Sequence, residues 1–355
     1  MIILAIESSC DETAAAIVKD GKVVLSDVVH SQVEIHAKWG GVVPEIASRN
    51  HLIEVIPVIE SSLEKARLTW DEVDAIAVTQ GPGLVGALLV GIQVAKSLAF
   101  VYQKPLIPVH HLKGHLSAVG LHSPQEPSPK VPTYPFLALV VSGGHTAIYR
   151  VNSSDNIKIV ANTQDDAAGE AFDKVSRMLG LGYPGGPVIE KQAHGGNEKA
   201  HRFTLPQIKS APLDFSFSGL KTAVLTKIKK HGALPEGQDL KDLLASFQYA
   251  AVHQLVNRCI NSMKQEGITR LSVSGGVGCN QLLRETLTTV VAKNGGSIYI
   301  PPKKWCTDNA AMIAAAGYLR APLYLERGPH AQDDYLNALS SWSITEQQKV
   351  VGCSM

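Results

Sequence analysis

Two histidines four residues apart suggest a metal site. His111 and His115 stand in the segment from Val109 to His115, with His110 and Leu112 beside the first of them. If this segment is helical, positions i and i+4 lie on the same face, where two imidazoles can hold one metal ion. Spacing alone also fits two helix histidines that cap, pack or face solvent. The metal hypothesis therefore needs a further ligand and a reaction that uses a metal.

Asp308 is the candidate third ligand. It stands between Thr307 and Asn309, just before an alanine-rich segment that predicts a helix. Histidine and carboxylate ligands together suit iron or zinc. The alternative explanation is that Asp308 or Thr307 caps the helix that follows. The sequence alone does not bring Asp308 near His111.

Turns rich in small residues follow three apolar segments, at residues 8–13, 142–146 and 274–280. Glycine lets the backbone approach a ligand closely, and hydroxyl and N–H groups can then donate to phosphate oxygens. A further glycine-rich turn at residues 182–187 could lie against a base or ribose. None of the turns matches a P-loop or a GxGxxG motif. Each alone is more often an ordinary turn, but together they predict a nucleotide site.

The elements that must position these residues form two similar series. Residues 3–18 and 137–151 each read as an apolar strand, a short polar turn and a second apolar strand. This similarity predicts a duplicated domain. Behind the two hairpins, strands and helices alternate in an α/β pattern. The predicted strands are residues 75–78, 106–109, 270–274 and 297–300, and the predicted helices are residues 84–100, 167–179, 239–265 and 281–290.

Length and composition favour more than one domain. The chain has 355 residues, of which 45% are hydrophobic, enough for two buried cores. We expect a first lobe at residues 1–130 with the histidine pair near its end, and a second at residues 131–320. Residues 321–355 form a tail that either packs back on the first lobe or is poorly ordered. The proline-rich residues 122–135 predict an exposed connection.

Charge and cysteine content point to an ordinary cytoplasmic protein. The formal net charge is +1, so no global field indicates a nucleic-acid partner. A local group of lysines is most simply a solvated face, although a polyanion such as tRNA would also explain it. The group comprises Lys209, Lys221, Lys227, Lys229 and Lys230.

The five cysteines are scattered and include no CxxC pair. This favours reduced thiols in the cytoplasm and argues against a disulfide scaffold. The N-terminus reaches Glu7 too soon for a signal peptide, and we expect the apolar residues 83–100 to form a buried helix and not a membrane span.

Ten motifs, taken in order, resemble those of the TsaD family of bacterial tRNA N6-adenosine threonylcarbamoyltransferases. They lie at residues 5–13, 40–49, 81–84, 110–115, 141–146, 169–174, 183–187, 214–222, 275–280 and 306–309. The resemblance implies an α/β fold of two related actin-like (ribonuclease H-like) lobes with a nucleotide cleft between them. It also implies transfer of a threonylcarbamoyl group from threonylcarbamoyl-AMP to N6 of adenosine 37, in tRNAs that read codons beginning with adenine.

The resemblance further implies roles for individual residues. One divalent metal, Fe²⁺ or Zn²⁺, would be held by His111, His115 and Asp308. Asp11 and Glu12 would lie near the reacting centre, and either could be the general base. The adenylate would contact Val140, Val141, Ser142, Gly143, Gly144, Asp173, Gly186, Glu190 and Asn280. The implied partners are tRNA, a TsaB-like paralogue related to the first lobe, a TsaE-like ATPase, and a TsaC-type enzyme that supplies the adenylate.

The sequence argues against a metalloprotease. A zincin needs a His-Glu-x-x-His motif, whose glutamate is the general base. Here Leu112 follows His111, and no residue between the two histidines is acidic. Two alternatives remain. One is a sugar-kinase-like phosphotransferase, which would not need the histidine pair. The other is a nucleotide-binding scaffold or regulatory subunit without catalysis.

Overall fold

The computed structural model describes residues 1–204, 208–326 and 336–345. Within them the chain divides into two compact units. The first unit contains Met1–Glu34, Val42–Val131 and the described residues from Asp308 onward, and the second contains Ile35–Gly41 and Pro132–Thr307. The predicted tail falls partly on residues 327–335 and 346–355, which lie outside the described residues.

The first unit is built on a five-stranded sheet. Its strands are β1 (Ile2–Glu7), β2 (Glu12–Lys19), β3 (Val23–Ser31), β4 (Ala75–Gly81) and β5 (Leu106–His110), in the order β3-β2-β1-β4-β5. The strands β1, β4 and β5 run parallel, while β1, β2 and β3 form an antiparallel meander. Its first helices are α1 (Val33–Ala37), α2 (Pro44–Ala66), α3 (Val85–Val101) and α4 (His111–Ser117).

The second unit repeats this topology. Its strands are β6 (Phe136–Val141), β7 (Thr146–Val151), β8 (Ile157–Asn162), β9 (Arg270–Ser274) and β10 (Ser297–Tyr299), in the order β10-β9-β6-β7-β8. Its helices are α5 (Ala168–Met178), α6 (Gly185–Gln192), α7 (Ser218–His231), α8 (Gly237–Glu266) and α9 (Gln281–Lys293). The parallel and antiparallel pairings match those of the first sheet, which confirms the predicted duplication.

The chain then returns to the first unit through α10 (Ala310–Arg320) and α11 (Pro322–Leu325). Residues 336–345 also lie against this unit. The Leu339 amide donates to the Gln80 carbonyl at 2.9 Å, and the Trp342 ring lies 4.5 Å from the His110 ring. Both contacts are at the carboxyl ends of β4 and β5.

Both β-hairpins and every predicted strand and helix are present, most of them with ends shifted by one to three residues. The predicted turn at residues 182–187 is wrong in its second half, because α6 begins at Gly185. There the Asp173 carboxylate accepts a hydrogen bond from the Gly185 amide, which satisfies a donor at the start of the helix. The helices α2 and α7 and the strands β3 and β8 were not predicted. In α2 the apolar residues Leu52, Ile53 and Ile56 are exposed, so the hydrophobic spacing does not mark one buried face.

None of the helices in the described ranges combines the length and apolar character needed to cross a membrane. The apolar helix α3 buries one face in the core of the first unit, through Leu88, Ile92 and Ala95.

Candidate metal centre

Three parallel strands place the polar residues of the first unit at one edge of its sheet. Glu7 is the last residue of β1, Thr79 is near the end of β4, and His111 follows β5 directly. The strands pair Ile6 with Val78 and Thr79 with Val109, so their carboxyl ends lie side by side. In open α/β sheets this edge is where ligands bind.

The helix α4 holds the two histidines as the spacing predicts. The His110 side chain caps it by accepting from the Leu112 amide at 3.1 Å. The rings of His111 and His115 are buried, 4.9 Å apart between centroids and almost perpendicular. The helix prediction for this segment is therefore confirmed.

Asp308 reaches the histidines because α10 packs against α4. Gly114 permits this approach, since a Cβ there would lie 2.9 Å from the Ile313 side chain. The Asp308 Oδ1 atom lies 3.1 Å from His115 Nε2 and 3.6 Å from His111 Nε2. The alternative role of Asp308 or Thr307 as helix cap is wrong, because Asn309 caps α10 by accepting from the Met312 amide at 2.9 Å.

The three side chains fit one divalent metal ion. Their candidate ligand atoms all lie within 4.8 Å of one another. Four ligands at about 2.1 Å around a tetrahedral ion stand about 3.4 Å apart, which is close to the two carboxylate–imidazole separations. Both ring nitrogens of His115 are buried and have no hydrogen-bond partner among the described residues, although Nε2 lies beside the Asp308 carboxylate. A metal at Nε2 would satisfy a buried atom that otherwise destabilises the fold.

Glu7 is a further candidate residue of this centre, and the sequence analysis does not single it out. It is almost fully buried, and its Oε2 atom lies 3.0 Å from His111 Nδ1 while accepting from the Thr79 hydroxyl at 2.7 Å. A carboxylate at Nδ1 fixes the imidazole so that Nε2 carries the lone pair toward Asp308. The available signal was a single charged residue at the end of an otherwise apolar strand.

The charges around His111 create a site for a cation. Burial by itself would lower the pKa of His111, but the carboxylates of Asp308 and Glu7 outweigh it and raise that pKa to about 9. Burial would also raise the pKa of Glu7, yet the pairing with His111 lowers it. The same negative field that holds a proton on His111 favours a divalent cation, which must displace that proton to bind.

Asp11 lies in the turn between β1 and β2, and Glu12 is the first residue of β2, beside this centre. Ser9 in the same turn contacts His111 Nδ1 through its hydroxyl at 3.2 Å. Burial, followed by repulsion from Asp11 and Asp308, raises the pKa of Glu12 well above its usual range. The negative field of the neighbouring carboxylates therefore favours a proton, or another cation, at this position.

A buried histidine holds this turn in place. The His51 ring lies on α2 and is fully buried, with Nδ1 2.7 Å from the Thr13 hydroxyl and Nε2 3.0 Å from the Cys10 carbonyl. Sequence reasoning did not single out His51, because α2 itself was not predicted. Its contacts fix the backbone on which Asp11 and Glu12 stand.

In the second unit, the residues expected to contact the adenylate begin at the end of β6. Val140 and Val141 are fully buried within that strand and pair with Ala147 and Thr146 of β7, so the strand positions the turn that follows. Ser142, Gly143 and Gly144 form the following turn, and a Cβ at either glycine would meet no atom within 4 Å. The turn therefore presents open backbone, as a phosphate-binding loop requires.

The other predicted residues of the second unit are linked by hydrogen bonds. Asp173 accepts from Gly185, next to Gly186, at 2.6 Å. Glu190 accepts from the Gln281 amide at 2.7 Å, and Asn280 caps the same helix, α9, by accepting from Leu283 at 3.0 Å. The α5 helix also contacts the turn before α9. The fold thus gathers Asp173, Gly186, Glu190 and Asn280 around the starts of α6 and α9.

Comparison with known proteins assigns the family. A profile described as "TsaD: tRNA N6-adenosine threonylcarbamoyltransferase" matches residues 23–315. The chain belongs to the TsaD family. The protein of that name from Trichlorobacter lovleyi is 50% identical over 347 residues, covering 98% of both chains. Its namesake from Anaeromyxobacter sp. strain Fw109-5 is 51% identical over 345 residues, covering 97% of this chain and all of the relative. As a TsaD family member, the chain is a transferase.

Solved structures with low sequence identity share the fold alone. HypF from T. kodakarensis has a TM-score of 0.61 at 15% identity, covering 92% of this chain and 48% of its own. Component A of (R)-2-hydroxyglutaryl-CoA dehydratase from Acidaminococcus fermentans has a TM-score of 0.51 at 15% identity, covering 91% of this chain and 98% of its own. These neighbours agree with an actin-like α/β fold.

Proposed function

We propose that this TsaD family member transfers the threonylcarbamoyl group of threonylcarbamoyl-AMP to N6 of adenosine 37, in cytoplasmic tRNAs that read codons beginning with adenine. The observation that carries the proposal is the cluster of two buried histidines, His111 and His115, with the half-buried Asp308, in a chain about half identical to named transferases over nearly its whole length. The product is N6-threonylcarbamoyladenosine, and the second product is AMP.

The reaction is an acyl transfer from a mixed carbamoyl–phosphate anhydride. The adenine N6 atom forms a bond to the carbamoyl carbon, the bond from that carbon to the phosphate oxygen breaks, and N6 loses a proton. An exocyclic adenine amine is a weak nucleophile, so positioning and proton removal both matter. Asp11 or Glu12 accepts that proton in this proposal, because both follow β1 closely, beside the Glu7–His111 pair.

His111, His115 and Asp308 hold one divalent metal, Fe²⁺ or alternatively Zn²⁺. When bound, such an ion supplies positive charge that stabilises negative charge developing on substrate oxygens. The protein's own contribution is to orient the ligands, since Glu7 fixes His111 and the α4–α10 packing brings Asp308 to His115. Elemental analysis of protein purified without oxygen decides between iron and zinc.

The adenylate moiety is assigned to the second unit. Support comes from the open backbone at Gly143, Gly144 and Gly186 and from the carboxylates of Asp173 and Glu190 at two helix starts. Val140 and Val141 lead into the same turn at the end of β6, and Ser142 carries its hydroxyl. The Asn280 side chain also donates to Gln248 at 2.9 Å, which fixes its orientation.

A direct assay tests the proposal. Metal-loaded protein is incubated with synthetic threonylcarbamoyl-AMP, an unmodified tRNA transcript and the TsaB-like and TsaE-like partners, and the nucleosides are analysed by mass spectrometry. The expected result is threonylcarbamoylated adenosine at position 37. Its absence under these conditions would contradict the proposal and favour a scaffold without catalysis. A phosphotransferase would instead consume ATP with a sugar, and nothing in that reaction uses the His111–His115 pair.

The TsaB-like paralogue has a candidate docking surface on the first unit, formed by the exposed apolar residues of α2 and α3. These residues are Leu52, Ile53, Ile56, Val85 and Leu89. The two helices approach each other closely at Gly86, where a Cβ would contact the Ser48 hydroxyl. A paralogue related to the first unit would carry an equivalent helix pair, so the two pairs can pack together about a pseudo-twofold axis.

We expect the double change Leu52→Glu and Ile53→Glu to abolish complex formation with the paralogue, because two charges replace apolar side chains that are about two-thirds exposed. Size-exclusion chromatography of the mixed proteins provides the measurement. Val131→Glu is the matched control, since Val131 is exposed but lies outside the surface. An intact complex with the double variant would place the paralogue elsewhere. Membership of the TsaD family supports two further partners in this proposal: a TsaE-like ATPase and a TsaC-type enzyme that supplies the adenylate.

A further inference from the structure

Trp39 differs in its surroundings from the other three tryptophans of the chain. Trp70 stacks on Tyr102 at 4.2 Å, Trp342 packs against His110, and Trp305 is buried. Trp39 is 63% exposed, and the described residues offer it no ring partner. A large exposed aromatic side chain favours contact with a ligand over a role in the core.

The backbone at Trp39 is nevertheless held in place. The Gly40 amide donates to the Ala37 carbonyl at 3.1 Å, and the Gly41 amide donates to the His36 carbonyl at 3.3 Å. Together with the left-handed conformation of Gly40 at φ +67°, these bonds form a Schellman motif that ends α1. Trp39 is the C-cap of that motif, so its ring projects from a fixed point and not from a loose loop.

Two basic side chains, Lys38 and Arg177, lie near this position. Lys38 precedes Trp39 and is exposed. The Arg177 guanidinium, on α5 of the same unit, lies against the Gly40–Gly41 backbone: a Cβ at Gly40 would stand 2.9 Å from Arg177 Nε, and one at Gly41 would stand 3.0 Å from Nη2. Arg177 is exposed as well, so its charge is available to a ligand.

An exposed aromatic ring flanked by two cations has the chemistry of a single-stranded nucleic-acid site. Bases stack on the ring, and Lys and Arg contact the neighbouring phosphates. Protein interfaces are depleted in lysine, whereas Lys38 is exposed directly beside Trp39. The charge pattern therefore favours RNA over protein at Trp39.

We propose that Trp39 stacks on an unpaired base of the substrate tRNA, with Lys38 and Arg177 contacting the adjacent phosphates. The inference rests on the proposed function, because that function makes a tRNA the substrate. It adds a positioning residue for the RNA, outside the metal centre and the adenylate loops. Anticodon-loop bases next to adenosine 37 are the single-stranded bases such a site would receive.

The test compares Trp39→Ala and Trp39→Phe with the native chain, each as full-length metal-loaded protein assembled with its partner subunits. Unmodified tRNA transcript is titrated, and both tryptophan emission and binding are followed. We expect the affinity of Trp39→Ala for tRNA to fall about ten-fold, in line with loss of one base stack. Trp39→Phe keeps an aromatic ring, so its affinity for tRNA should fall by a smaller factor. Phe100→Ala is the matched control, because Phe100 is also 63% exposed, and its affinity should not change.

Kinetics separate this role from a structural one. The KM for tRNA should rise in Trp39→Ala, while the KM for the adenylate and the kcat stay as in the native chain. The quenching of emission by tRNA should shrink in Trp39→Phe, since the other tryptophans are stacked or buried. Unchanged tRNA affinity in Trp39→Ala would overturn the inference. It would also be overturned if Trp39→Ala weakened the binding of a partner protein and left tRNA binding unchanged. If the native chain transfers no threonylcarbamoyl group, the proposed function fails independently of Trp39.

Discussion

Replacing His111 or Asp308 with alanine is expected to remove the bound metal and to lower transferase activity by a factor on the order of a hundred to a thousand, the loss typical of a missing charge-stabilising group. Each variant would leave only two of the three proposed ligands, whose candidate ligand atoms lie within 4.8 Å of one another in the native chain. Elemental analysis measures the metal and the transfer assay measures the activity.

The fold should survive these changes, because the sheet edges and the α4–α10 contact remain. Circular dichroism and thermal melting check this. His194→Ala is the control, since His194 is exposed in the second unit and takes no part in the centre. Full metal occupancy in either ligand variant would show that the assignment is wrong, whatever happens to activity.

Glu7→Gln should weaken metal binding at the same centre without abolishing it. The amide is nearly the same size as the carboxylate but carries no charge, so His111 loses the partner that orients its ring and increases its basicity. We expect metal affinity to fall about 10- to 100-fold, the range for such outer partners. Metal titration with a competing chelator supplies the measurement. If Glu7→Gln binds the metal as tightly as the native chain does, the buried carboxylate of Glu7 stabilises the fold and does not tune the metal site.

The second large effect is expected at the turn between β1 and β2. Of the variants Asp11→Asn and Glu12→Gln, the one that removes the general base should lower kcat about 10²- to 10⁴-fold while the metal is retained. Both amides keep the size of the side chain and lose its ability to accept a proton. Single-turnover transfer with saturating adenylate measures the chemical step, and elemental analysis confirms the metal.

The melting temperature of the variants distinguishes loss of the general base from misfolding. Glu12 is crowded by the negative charges of Asp11 and Asp308, which help burial to raise its pKa. Gln is neutral at every pH and avoids the cost of burying an ionisable carboxyl there, so the melting temperature of metal-free Glu12→Gln should not fall. Asp71→Asn is a control at an exposed aspartate. If both Asp11→Asn and Glu12→Gln transfer at the native rate, neither carboxylate is the base.

Local patterns were sufficient to predict much of the fold. The two hairpins and the parallel strands are short apolar runs bounded by polar turns, and their sequence similarity correctly predicted two related units. The α2 helix was missed because Leu52 and Ile53 are apolar yet exposed, which obscures the helical period. The start of α6 was missed because a Gly-Pro-rich turn and a helix N-terminus use the same residues, and only the contact with Asp173 distinguishes them.

The sequence by itself determined the family, the duplicated α/β plan and the placing of His111 and His115 on one helical face, because these depend on residue types and local spacing. The tertiary structure alone decided which distant groups meet that face. Packing of α10 on α4 brings Asp308 to His115, and the parallel order of β1, β4 and β5 brings Glu7 and Thr79 to His111. Contacts between residues far apart in the chain depend on how whole elements pack, and no local pattern encodes them.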